Sequence, residues 1–155
     1  MASRTGKEFA ALEVLTAANL NKLAEGWIGY ASNSADQTGI SGTSDITGAT
    51  ITVTAGTARL YLVLATVTVT TSASGLVWNG TILEDSTVIG RWARTTGMGA
   101  NAIQQFTGFA LATPTAGSHT YKLQITLSSG TGTLDVSGTA PAQAKIVVVD
   151  LGPAN

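Results

Sequence analysis

Between residues 50 and 70 the chain alternates, and that period of two decides its fold class. Ile51, Val53 and Ala55 interleave with Thr50, Thr52 and Thr54, the pattern of a strand with one wet face. Residues Leu60 to Thr70 continue it with a difference. The first half is apolar on both faces and the second half alternates with Thr, as in a strand running from a covered region to an exposed one. Further strands are expected at 76–83, 87–94, 102–112, 119–128, 132–138 and 144–151. The segments between them carry turn residues: Glu84-Asp85-Ser86, Thr95 to Gly99, Thr113-Pro114-Thr115-Ala116-Gly117 and Ser128-Ser129-Gly130. Asn79-Gly80 is a competing hairpin signal, which leaves the register between Leu76 and Arg94 open. About eight or nine short strands without intervening helices imply an all-β sandwich or barrel. A jelly roll is the sandwich that best manages its edges.

Before residue 27 the pattern is different. Residues 16–25 read as one short helix, with Thr16 as N-cap, Leu20, Leu23 and Ala24 on one face, and Gly26 as a left-handed C-terminal cap. At about ten residues such a helix is marginal alone and needs a surface to dock on. The preceding arm carries Phe9, Leu12, Val14 and Leu15. The chain therefore divides into an N-terminal arm with a short helix, 1–26, and a jelly-roll β-sandwich domain, 27–155.

Composition excludes several functions. Charged residues make up only 11% of the chain, their place taken by Thr, Ser, Gly and Ala, while 44% hydrophobic content suffices for a core. The net charge is −1 and no Lys/Arg run exists, so no nucleic-acid partner is expected. The most apolar stretch is too short and too rich in Thr for membrane insertion. The charged N-terminus does not resemble a signal peptide, so synthesis in the cytoplasm is expected. With no cysteine, disulfides and thiolate metal sites are ruled out.

Catalytic chemistry has little to stand on. The lone His119 reads as a surface or turn residue at the start of a strand. Glu84 and Asp85 are neighbours that point to opposite faces unless a turn bends them together, and they read as turn residues. Asn33, Asp36 and Asp45 lie in a loop-rich segment, but their spacing matches no calcium loop. No nucleophile elbow, P-loop or zinc-protease motif occurs. No catalytic residue, cofactor or metal is expected. Arg91, Trp92 and Arg94 form the only basic-aromatic cluster and are the candidate contact with a partner or receptor. The remaining aromatics are spread over most strands, as packing requires.

Two sets of residues resemble a known group. Val14-Leu15-Thr16-Ala17-Ala18-Asn19-Leu20-Asn21 resembles a segment near the start of many phage tail-fibre and minor tail proteins. Trp27-Ile28-Gly29-Tyr30-Ala31, Leu83 to Arg91, Ala116 to Leu123 and Ile146 to Pro153 resemble small structural proteins of actinobacterial phages. Those carry a jelly roll like the tumour-necrosis-factor and complement globular heads. The resemblance implies a non-enzymatic virion protein: a homotrimer whose N-terminal arm attaches to other virion proteins. A minor tail, tail-tip or short fibre component is the first expectation, and a capsid decoration or head-fibre protein on the major capsid lattice the second. A carbohydrate-binding module, with host surface glycan as partner, is the third.

Overall fold

A computed structural model describes residues 26–154. The expected helix at 16–25 and the arm residues Phe9, Leu12, Val14, Leu15, Leu20 and Leu23 lie outside the described residues. Ten strands occupy the described part: β1 Gly26–Ser32, β2 Gln37–Ile40, β3 Thr43–Ala55, β4 Arg59–Thr71, β5 Val77–Glu84, β6 Thr87–Thr96, β7 Ile103–Ala112, β8 Gly117–Ser129, β9 Leu134–Val136 and β10 Lys145–Pro153.

Four antiparallel pairs nest one inside the next: β1 with β10, β3 with β8, β4 with β7, and β5 with β6. Rolled up, this long hairpin gives sheet A in the order β1-β10-β4-β7 and sheet B in the order β3-β8-β5-β6. That nesting is the jelly roll, an all-β sandwich of two antiparallel sheets. The short β9 and β2 extend sheet A beside the end of β4.

Alternation fills the space between the sheets. Tyr61, Val63, Ala65, Val67 and Val69 of β4, with Ile146 and Val148 of β10, face Val53, Trp78, Ile82, Leu123 and Ile125 of sheet B, all buried. One end of this core is aromatic. The Trp78 ring stands edge-on to Phe106 at 5.0 Å and lies 5.7 Å from Trp92. Two glycines give Trp92 its place. A Cβ on Gly80 would fall inside the Trp92 ring, and one on Gly108 would meet the Trp92 backbone. Gly108 thereby lets β7 of sheet A approach β6 of sheet B and close that side of the sandwich.

Asn79-Gly80 is not a turn. Both residues lie within β5, and the hairpin turns at Asp85-Ser86. Gly80 is needed there for the room it leaves to Trp92, not for chain reversal. The strand expected at 50–55 begins seven residues earlier, at Thr43, and β2 was not expected. Asp45 accordingly sits on a strand, where Lys122 Nζ donates to it at 2.6 Å. Asp36 Oδ1 accepts from the Gly138 N–H at 2.7 Å, and Asn33 is buried and bonded to the Ser137 and Ala144 backbone. The three serve separate structural roles.

Candidate functional site

The two outer faces of the sandwich differ in chemistry. On sheet B, cross-strand rows read Thr43, Thr126, Asn79, Arg94 and then Asp45, Gln124, Thr81, Arg91. Polar pairs tie these rows together: Thr43 with Thr126, Thr52 with Thr120, and Gln124 and Lys122 with Asp45. Burial alone would raise the Asp45 carboxyl. Hydrogen bonds from Lys122 and Gln124, with the Lys122 charge, outweigh it and hold the group below its ordinary value.

Arg91 and Arg94 are both exposed on this face, although residues three apart on a regular strand face opposite ways. A bulge is the reason. Gly80 pairs with Ala93 and Thr81 with Arg91, so Trp92 is the extra residue. Trp92 does not belong to the expected contact surface. It is 3% exposed, packs with Trp78 and Phe106, and donates Nε1–H to the Thr81 carbonyl at 3.1 Å. The basic-aromatic cluster is two surface arginines over a core tryptophan.

On sheet A the outer face is apolar across its full width. One row runs Trp27, Val149, Leu62, Leu111, and the next Tyr30, Val147, Leu64, Phe109. A polar row follows: Ser32, Lys145, Thr66, Thr107. Trp27, Tyr30, Leu64, Phe109 and Leu111 are exposed. A bulge acts here too. The register shifts between Trp27 and Gly29, so Trp27 and Tyr30 come to one side and their rings stack at 6.4 Å. The two-sided apolar run at 60–65 was the one sequence sign of this face, because Trp27 and Tyr30 read as scattered packing residues until the bulge is known.

A third cluster forms at the β5–β6 turn. His119 Nδ1 lies 3.1 Å from Glu84 Oε1 and 3.0 Å from Asp85 Oδ2. Its Nε2 lies 3.0 Å from the Thr115 carbonyl. The Thr115 hydroxyl lies 3.5 Å from the same nitrogen. Asp85 has φ of +54°, which turns its side chain back over β8. There its Oδ1 accepts from the Thr120 N–H at 2.8 Å while its own N–H donates to the Thr120 carbonyl at 2.7 Å. His119 is thus an anchored residue rather than a free surface one, and the turn brings both carboxylates to it. These three residues are the group whose ligand atoms, all within 4.8 Å, could hold a cation. Hydrogen bonds already account for the spacings.

The Thr120 N–H holds the Asp85 carboxyl below its ordinary value of 3.8; desolvation opposes this, and the hydrogen bond and charge of His119 reinforce it. Glu84 is shifted up, chiefly by burial, with the His119 charge opposing and Asp85 reinforcing. A depressed carboxylate adds stability above its ordinary pKa and loses it as pH falls through the folded value. Asp85→Asn keeps the left-handed backbone but removes the charge. Thermal unfolding of this variant against wild type is expected to show a deficit at neutral pH that shrinks below pH 3.8. A deficit constant over that range would show that Asp85 acts through shape alone.

No family model and no curated relative matches the chain. Among solved structures it is similar to the VP2 protein of infectious bursal disease virus in T=1 particles, at 16% identity and a TM-score of 0.49. That likeness covers 96% of this chain but 41% of the viral protein, so the chain spans about two fifths of it. It is also similar to the tumour-necrosis-factor protein Eiger of S. frugiperda, at 15% identity and a TM-score of 0.47, covering 84% of this chain and 96% of that one. A third likeness is to the C-terminal domain of the sugar-binding protein EclA, at 13% identity and a TM-score of 0.44, covering 94% and 88%. The jelly-roll assignment rests on this chain's own strand order.

Proposed function

We propose that this chain is a non-enzymatic structural subunit of a tailed-phage virion, most plainly a trimeric minor tail, tail-tip or short fibre component. The observation that carries this reading is the apolar outer face of sheet A, a surface suited to assembly rather than to solvent. The sequence resemblance at residues 14–21 and along the sandwich supplies the kind of assembly. Residues 1–25 serve as the arm that grips other virion proteins. The segment is short, and its apolar side chains would lie against a partner.

A glycan-binding role is the weaker reading. Trp92, the aromatic of the candidate partner or receptor contact, is in the core. The exposed Trp27–Tyr30 pair lies beside valines and leucines, where a sugar ring would find few hydrogen-bonding side chains. Capsid decoration uses the same arm and the same apolar face, and copy number separates it from a tail role. Quantitative mass spectrometry of purified particles is expected to find a few copies per virion; hundreds would move the protein to the head, and absence from particles would refute both. Removal of residues 1–25 is expected to leave the strand content unchanged by circular dichroism and to abolish incorporation. Truncated chain incorporated at the wild-type level would remove the arm's role.

A further inference from the structure

We propose that Glu84, Asp85 and His119 form a site for a divalent transition-metal ion, Zn²⁺ by its donor set, at the β5–β6 turn. The site begins with the local backbone. β5 ends at Glu84, and Asp85, at φ of +54°, turns the chain directly into β6. Two adjacent carboxylates that a straight strand would send to opposite faces are thereby brought to one side. Across the sheet, β5 pairs with β8 so that Glu84 lies opposite Tyr121. His119 stands two residues before Tyr121 and shares its face. An ion held there ties the β5–β6 turn to the start of β8.

The spacing that suits hydrogen bonding suits coordination too. His119 Nδ1 stands 3.1 Å from Glu84 Oε1 and 3.0 Å from Asp85 Oδ2. Donors about 2.1 Å from one ion, at right or tetrahedral angles, are roughly 3.0–3.4 Å apart. All three ligand atoms lie within 4.8 Å of one another, so a modest side-chain adjustment places them on one ion. The carbonyl of Thr115, 3.0 Å from Nε2, is the kind of outer partner that orients a metal-bound imidazole. One nitrogen with two carboxylate oxygens suits Zn²⁺ and leaves room for water. Ca²⁺, which takes about six to eight oxygens, is poorly served.

Charge favours an ion over a proton alone. Two carboxylates converge on one ring nitrogen, and even a charged imidazole leaves one negative charge in excess. Lys122 is engaged with Asp45 and Arg59 with Asp150, so neither answers it. The side chains of Glu84 and His119 are mostly buried, while that of Asp85 is half exposed and gives an ion its way in. A second sign is independent of the three ligands. Tyr121 is fully buried, and its hydroxyl has no hydrogen-bond partner among the described residues. Burial and then the Glu84 charge push its phenol up. An unpaired donor one step deeper than the two carboxylates is what a metal-bound water or a ligating carboxylate would accept from.

The test is calorimetric titration of the full chain, carrying no histidine tag, with Zn²⁺ alone. One ion per chain is expected. Glu84→Gln and His119→Gln are each expected to weaken binding at least about tenfold, the loss that follows removal of even an outer partner. Asp45→Asn removes a carboxylate from the separate pair with Lys122 and is expected to bind as wild type does. Zn²⁺ is also expected to raise the unfolding midpoint of wild type and of Asp45→Asn but of neither ligand variant, because it binds the folded cluster. The near-ultraviolet dichroism of the buried Trp78–Trp92 pair shows that each variant is folded. Absence of Zn²⁺ binding to wild type, binding that survives both ligand substitutions, or Ca²⁺ held as tightly as Zn²⁺ overturns the inference. None of these results bears on the virion reading, which particle composition tests separately.

Discussion

Replacing Asp150 with alanine is expected to lower the unfolding free energy by about 3–5 kcal/mol, because it breaks a buried ion pair. Arg59 Nε and Nη2 donate to Asp150 Oδ2 at 2.9 and 2.6 Å, and the Gly152 N–H donates to Oδ1 at 2.6 Å. The two side chains are 6% and 0% exposed. The pair joins the start of β4 to the end of β10 at one pole of sheet A. Removing the carboxylate takes two hydrogen bonds and their ion pair from the guanidinium, and takes the Oδ1 acceptor from the Gly152 N–H. The pair is not therefore a large net source of stability. A hydrophobic pair of matching volume offsets the lost attraction by avoiding desolvation, so Arg59→Met with Asp150→Leu is expected to recover most of the loss. Urea unfolding checks both. A single-variant loss below about 1 kcal/mol would show that water reaches the site and refute the buried-charge account.

Truncation of Trp78 to alanine is expected to cost about 3–5 kcal/mol as well, for a different reason. Its ring is fully buried at the junction of the sheets, edge-on to Phe106 and beside Trp92. The neighbours cannot collapse into the space, since the Trp92 ring is held by its bond to the Thr81 carbonyl and by the backbone it packs over at Gly80. Trp78→Phe retains an aromatic ring and is expected to lose less. Equilibrium unfolding with an unchanged denaturant slope is the check. An alanine variant within about 1 kcal/mol of wild type would mean that the aromatic cluster does not hold the sheets together.

Much of this fold was legible because alternation is a local property. The strands at 60–70, 87–94, 102–112 and 144–151 emerge near their expected bounds. β2 was not legible: its four residues, of which Thr38 and Gly39 are exposed, owe their place to the partner β9 and to Asp135 accepting from the Gly39 N–H. Bulges were the chief source of error. At 91–94 and 27–30 one extra residue turns a spacing of three into a shared face, which sent Trp92 inward and brought Trp27 beside Tyr30. Nothing in the residue types announces this. His119 illustrates a second limit. Its partners are 34 and 35 positions away, joined to it only when β5 and β8 pair.

The nesting of the strands also gives the molecule a polarity. Gly26 pairs with Asp150, Pro153 with Arg59, and Ala55 with Gly117, so the entry to β1, the exit from β10 and the short turns at 56–58, 85–86 and 113–116 share one pole. The connections at 72–76, 97–102 and 137–144, each of five residues or more, gather at the other, together with the shorter ones at 33–36, 41–42 and 130–133. If, as proposed, the segment before Gly26 is the attachment to a particle, the pole of the short turns faces that particle and the opposite pole, with its loops, faces the medium. Those loops can change in sequence and length without disturbing either the tether or the apolar face, which makes that far pole the place where a host-facing surface would diversify.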